Sequence, residues 1–145
     1  APLAGEMSGH YIFNDRWSDF DDGLYAAARF LEILSQSMGT ADDLFSGFPE
    51  RVVSPELRIP VSDEEKAHVM ERLVAQQDEI FDGTVNTTDG LRVEFAGGWG
   101  VVRASNTGSY LIAKFEGNSE EEMEQVKAFF RERLKDADPM MLLPF

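Results

Sequence analysis

Arg103-Ala104-Ser105-Asn106-Thr107-Gly108 gathers a guanidinium, two hydroxyls, a carboxamide and a flexible glycine into one short stretch. Such a set suits an anion with several oxygens. Arginine donates two parallel hydrogen bonds to a phosphate, and hydroxyls and turn N–H groups add donors at short range. Between Glu94 and Glu116 the chain holds Arg103 and Lys114 but no acid, in a protein with 27 acidic residues, so the charge pattern also favours an anion there. The same residues make an ordinary hairpin turn, with Asn106-Thr107-Gly108 as turn formers and Arg103 closing a strand. A second stretch, Gly5-Glu6-Met7-Ser8-Gly9-His10, sets a carboxylate, a hydroxyl and an imidazole between glycines. A carboxylate accepting from adjacent hydroxyls is a way to hold a sugar, and glycines allow close approach. The alternative is a solvated loop with His10 beginning a strand.

Other patterns fail on spacing. Asp19-Phe20-Asp21-Asp22-Gly23 begins like a calcium loop, but the closing carboxylate position falls on Phe30. Glu120-Glu121-Glu122 suits a helix start through the dipole and reads as a solvated face. His68 lies among charged residues mid-helix, Ser8 and His10 lack the third member of a nucleophilic triad, and no glycine-rich nucleotide fingerprint occurs.

Composition narrows the partners. The chain has 145 residues and a formal charge of −14, and such a surface repels nucleic acid and anionic membranes at long range. It contains no cysteine and only His10 and His68 as histidines, which leaves no material for disulfides, thiolate chemistry or histidine-rich metal centres. No apolar run approaches a membrane span and no signal-peptide pattern opens the chain, so a soluble, cytoplasmic protein is expected. The chain lacks an initiator methionine and opens in a glycine-rich stretch without a preceding helix or strand, which reads as a piece of something longer.

The elements that must carry these stretches are legible from periodicity. A short apolar run, Tyr11-Ile12-Phe13, precedes a helix over 23–38, capped by Asp21 or Asp22 and closed by Gly39. Leu24, Ala27, Leu31 and Leu34 form one apolar stripe, and Ala26, Phe30 and Ile33 a second, so this helix needs more neighbours than it brings. A helical turn over 42–48 ends at Pro49, where we place a domain boundary, and 52–61 is extended and proline-punctuated. Ser62-Asp63-Glu64-Glu65 is a capping box for a helix to about Gln77, with Ala67, Met70, Leu73 and Val74 inward. Leu91, Val93 and Phe95 alternate, Gly97-Gly98 turns the chain into 99–103, and Leu111, Ala113 and Phe115 alternate in a third strand. Ser119 caps a final helix to about Lys135 with Met123, Val126, Phe130 and Leu134 inward. Residues 50–145 are expected to form an α+β domain, a small antiparallel sheet packed by two helices.

Taken together, in order and spacing, these segments resemble the C-terminal third of bacterial phosphomannomutase/phosphoglucomutase enzymes of the α-D-phosphohexomutase superfamily. Gly5-Glu6-Met7-Ser8-Gly9-His10 and Asp21-Asp22-Gly23 match the third, sugar-binding domain of that family, and the resemblance implies that residues 1–49 are the C-terminal remnant of that α/β domain. Asp89-Gly90-Leu91-Arg92-Val93, Gly98-Trp99-Gly100 and Arg103-Ala104-Ser105-Asn106-Thr107 match its fourth, phosphate-binding domain. The resemblance implies an isomerase of carbohydrate metabolism, a phosphoprotein that moves phosphate between the 1- and 6-positions of a hexose through a bisphosphorylated sugar. It implies Glu6 and Ser8 as sugar ligands, Arg103, Ser105, Asn106 and Thr107 as phosphate ligands, and His10 in proton transfer. It also implies magnesium and a hexose 1,6-bisphosphate activator, with a hexose phosphate and the remaining domains of the same polypeptide as partners. No match to the family's phosphoserine loop or magnesium loop occurs, so this chain alone is expected to be inactive. The pattern departs at Gly108-Ser109, where relatives carry a residue followed by proline. A stand-alone phosphate-binding module using only the Arg103 stretch, and an acidic interaction domain without a ligand, are the competing functions.

Overall fold

The computed structural model describes residues 1–6 and 8–145, and the chain separates into two units, Ala1–Pro49 and Glu50–Phe145. In the first, β1 (Leu3–Gly5) and β2 (Tyr11–Phe13) pair antiparallel, with Ala4 opposite Ile12. The stretch before Gly5 is therefore a strand, not a loop. Three residues are too few to show alternation, and the pairing is set by the turn, where Gly9 N–H donates to the Glu6 carbonyl at 3.0 Å. Helix α1 (Gly23–Gln36) starts at Asp22, whose carboxylate accepts from the N–H groups of Leu24 and Tyr25 at 2.9 and 3.0 Å. It ends before Met38 because Ser37 turns extended and bonds the Leu34 carbonyl with its hydroxyl at 2.8 Å. Helix α2 (Ala41–Phe45) begins one residue earlier than the acidic pattern suggests, because Thr40 and Asp43 form a capping box. None of the described residues in this unit is buried.

The second unit builds a six-stranded antiparallel sheet from β3 (Val52–Val53), β4 (Leu57–Pro60), β5 (Thr84–Asn86), β6 (Leu91–Phe95), β7 (Gly98–Ala104) and β8 (Tyr110–Gly117). The order is β3-β8-β7-β6-β5, and β4 also lies along β8. Proline is accommodated at this edge: Pro60 stands opposite Tyr110, and buried Ser54 carries the ladder between β3 and β4. Its hydroxyl accepts from Phe115 N–H at 3.0 Å while its own N–H donates to the Phe115 carbonyl at 2.9 Å.

Helices α3 (Asp63–Ala75) and α4 (Glu120–Ala137) cover one face of the sheet. The sheet contributes Ile59, Leu91, Val93, Val102, Leu111, Ala113 and Phe115 to the core, and α4 contributes the expected Met123, Val126, Phe130 and Leu134. On α3 the inward stripe is centred on Val69 and Leu73, with Met70 and Val74 half-buried; Ala67 is exposed. The two buried residues are four apart on one face, and Ala67 falls on the flank beyond them. Gly100 makes the helix-to-sheet approach possible, since a Cβ there would sit 2.4 Å from the Phe130 ring. The tail after α4 also packs inward, with the Phe145 ring 4.7 Å from that of Phe115. Sequence periodicity does not single out this tail or β5, because each is short and non-repeating.

Candidate functional site

In the first unit, the β1–β2 connection presents Glu6, Ser8 and His10 in solvent; Met7 lies outside the described residues. Ser8 Oγ donates to Glu6 Oε2 at 2.9 Å, so this carboxylate and hydroxyl are already joined. His10 Nδ1 lies 2.5 Å from Asp21 Oδ2, and the other oxygen of Asp21 accepts from Tyr11 N–H at 3.1 Å. A β-bridge between Ile12 and Asp21 holds that carboxylate beside β2. Asp22 caps α1 while Asp21 serves His10, so the two acids have separate roles. The hydrogen bond and charge of Asp21 raise the imidazole above its ordinary value, with a smaller contribution from Glu6. The His10 bond correspondingly lowers Asp21, helped by the Tyr11 N–H. With Nδ1 directed at a carboxylate, a neutral His10 carries its proton there and leaves Nε2 able to accept one.

In the second unit, the turn from β7 to β8 carries the other candidate residues. Arg103 stands at the end of β7 with its side chain about one-third exposed, and its Nε is 3.9 Å from Asp89 Oδ2. Asp89 and Gly90 precede β6, and Gly90 has φ 83° and lies so close to β7 that a Cβ would come 2.2 Å from the Val102 carbonyl. The Asp89 contact is long and solvent-facing, so the N–H edge of the guanidinium remains able to grip an anion. Asn106 and Thr107 are exposed at the tip. Ser105 is buried, and its hydroxyl accepts from Thr107 N–H at 3.2 Å and lies 3.5 Å from Thr107 Oγ1. Of the residues proposed for the anion, Ser105 thus shapes the turn from inside while Arg103, Asn106 and Thr107 face solvent.

Several neighbours of this turn have no sequence signal. Lys66, from the first turns of α3, donates to the carbonyls of Ser105 and Gly108 and to Asp63 Oδ1, each at 2.9 Å. Ser109 Oγ donates to Asp63 Oδ2 at 3.1 Å. The Tyr110 phenol is held below its ordinary range by bonds with Ser105 and then Thr107, and Arg58 lies over its ring at 4.9 Å. Lys66 sits 39 positions before Ser105, and only the fold brings them together.

Among the described residues no group of three or more His, Cys, Asp or Glu side chains is arranged to hold a metal ion. No described helix is long and apolar enough to cross a membrane.

The family model described as phosphoglucomutase/phosphomannomutase, alpha/beta/alpha domain III matches residues 1–52, and that described as phosphoglucomutase/phosphomannomutase, C-terminal domain matches residues 56–133. A phosphomannomutase/phosphoglucomutase from Pseudomonas aeruginosa is 47% identical over 146 residues, covering 100% of this chain and 31% of the relative. A phosphoglucomutase from Neisseria gonorrhoeae is 41% identical, covering 99% of this chain and 31% of the relative. The crystal structure of a phosphoglucomutase/phosphomannomutase family protein from Burkholderia thailandensis superimposes with a TM-score of 0.84 at 44% identity, covering 100% of this chain and 30% of that one. The chain thus spans about a third of the length of the curated relatives it matches. The two family models together match most of the chain, and the chain belongs to the phosphoglucomutase/phosphomannomutase family.

Proposed function

We propose that this chain supplies the substrate-holding parts of a cytoplasmic phosphohexomutase that interconverts hexose 1-phosphate and hexose 6-phosphate, with mannose or glucose as the sugar, through a bisphosphorylated intermediate. The observation that supports it most is the β7–β8 turn, where Arg103, Asn106 and Thr107 face solvent on a frame held by Lys66 and Ser105. In this reading Arg103 grips two oxygens of the phosphate that is not being transferred, Asn106 and Thr107 fix its orientation, and Ser105 holds the turn and its hydroxyl network. Glu6 accepts hydrogen bonds from adjacent sugar hydroxyls, with Ser8 beside it. His10 Nε2 takes or returns the proton of the reacting hydroxyl while Asp21 stabilises the charged imidazole. The phosphoryl donor, the magnesium that would stabilise the transferring group and the remaining cleft walls belong to other domains of a longer polypeptide, and a hexose 1,6-bisphosphate serves as activator.

The second reading, a stand-alone phosphate-binding module without catalysis, is supported by the separate core of residues 50–145. A protein of the relatives' length separates the two. In a coupled assay with mannose 1-phosphate or glucose 1-phosphate, magnesium and bisphosphate, it should turn over both sugars. Arg103→Ala there should cost about 1.5–3 kcal/mol of substrate interaction, roughly 10- to 150-fold in KM or kcat/KM, the scale of hydrogen bonds to a charged group. Arg103→Lys should fall between, because charge survives but the fork does not. Unchanged constants for both sugars would remove Arg103 from the phosphate site, and a loss confined to one sugar would assign it to a hydroxyl instead.

A further inference from the structure

We propose that Lys66, Asp63 and Ser109 form a clamp that presets the β7–β8 turn for phosphate without themselves contacting it. The proposal rests on the phosphate reading of that turn. An ammonium has three protons, and those of Lys66 have three acceptors at 2.9 Å: Asp63 Oδ1, the Ser105 carbonyl and the Gly108 carbonyl. The side chain is mostly buried, so these charge-assisted bonds are poorly screened. A direct bond to an anion would require Lys66 to release one of them.

The two carbonyls bracket Asn106 and Thr107, so gripping both fixes the width of the turn. In a trans peptide the carbonyl and the following N–H point in opposite directions, and there are no cis peptide bonds among the described residues. Drawing the Ser105 and Gly108 carbonyls towards Lys66 therefore directs the N–H groups of Asn106 and Ser109 away from it. The negative ends of these dipoles lie against α3, and the positive ends are left for an anion on the opposite side.

Ser109 is tied twice, by its hydroxyl to Asp63 Oδ2 at 3.1 Å and by its carbonyl, which accepts from Val61 N–H at 3.2 Å. Gly108 beside it leaves room for the Tyr110 ring, which a Cβ there would approach to 2.3 Å. At Gly108 and Ser109, polar bonds to α3 thereby hold the turn.

The test uses the 145-residue chain, measuring amide hydrogen exchange in the turn and titrating inorganic phosphate at fixed ionic strength. Lys66→Met should accelerate exchange of the Ser105, Thr107 and Tyr110 amides about tenfold and weaken phosphate about five- to tenfold, leaving β6 and β7 amides unchanged. Lys66→Arg should not restore either property, since a planar fork cannot meet the same three acceptors. Ser109→Ala, which alters no charge and threatens the fold least, should give about a two- to threefold loss in the same direction. Unaltered turn exchange in both Lys66→Met and Ser109→Ala, or native affinity in Lys66→Arg, would overturn the clamp. If the unaltered chain bound no phosphate, the ligand assignment of the turn would fall, while exchange in the variants would still decide whether the clamp orders it.

Discussion

Helix α1 in residues 1–49 and helix α4 in residues 50–145 are both well capped and both amphipathic, yet only α4 has somewhere to put its apolar face. Phe130 and Leu134 of α4 are wholly buried, whereas α1 leaves Leu24, Leu31 and Ile33 in solvent, Leu24 at 87% exposure. Capping and periodicity write local structure equally well in both. Burial is what separates them, because a 14-residue helix such as α1 is marginal without tertiary packing. The first unit compensates only in part, through the Trp17–Tyr25 stack at 4.4 Å and the pairing of Arg29 with Asp15 at 2.9 Å, both near the surface.

The largest test of this contrast is truncation of one apolar residue on each helix. Phe130→Ala should destabilise residues 50–145 by about 3–5 kcal/mol, through lost burial and the cavity left against Phe115 and Phe129. Leu24→Ala should change stability by less than about 0.5 kcal/mol in this chain. Urea unfolding followed by tryptophan and far-ultraviolet signals reads both, and a large cost at Leu24 would show that α1 has found a partner.

A smaller effect concerns the caps. Ser119 Oγ accepts from Glu122 N–H at 3.2 Å at the head of α4, so Ser119→Ala should lower the unfolding free energy of this unit by about 1 kcal/mol. Asp22→Ala should reduce helical signal from α1 and leave the unfolding midpoint of the second unit in place. Equal shifts in that midpoint from the two substitutions would break the separation.

The smallest effect is the pH response of His10 and Asp21. The folded imidazole is raised above 6.5, so its stabilisation is complete below that value and fades as pH rises through the folded pKa. The folded carboxylate is lowered below 3.8, so its contribution is complete above that value and is lost as pH falls through the folded pKa. The pair therefore supports β2 most fully between pH 3.8 and 6.5. Ring proton shifts should show the His10 titration midpoint falling in Asp21→Asn, which removes the carboxylate charge. An unmoved midpoint in that variant would contradict the pairing.

The second unit is largely legible because its signals are strong: alternation in β6 and β8, serine caps at the heads of α3 and α4, and a helix stripe on α4 whose four expected residues are all in the core, to which the structure adds Ala137. What escapes is non-periodic or non-local. The three-residue strands β1 and β5 carry no repeat, and the pattern of α3 points to Ala67 as inward where Val69 is buried instead. At the candidate sites, Arg103 and the turn are visible as residue types. Lys66, Asp63 and Tyr110 are not, since their role depends on α3 crossing the end of β8 and on no local pattern. Asp21 is visible only as a helix cap, because its partnership with His10 spans 11 positions.

In the proposed function the β7–β8 turn holds the phosphate of a hexose phosphate. The direct measurement is a titration of the isotope-labelled chain with glucose 6-phosphate, read as amide and arginine side-chain shifts, with glucose as control. Saturable movement confined to Arg103 and the amides of residues 105–109, reproduced by inorganic phosphate and absent with glucose, is the expected result. Silence of this turn at every phosphate concentration, or equal movement with unphosphorylated glucose, would contradict it.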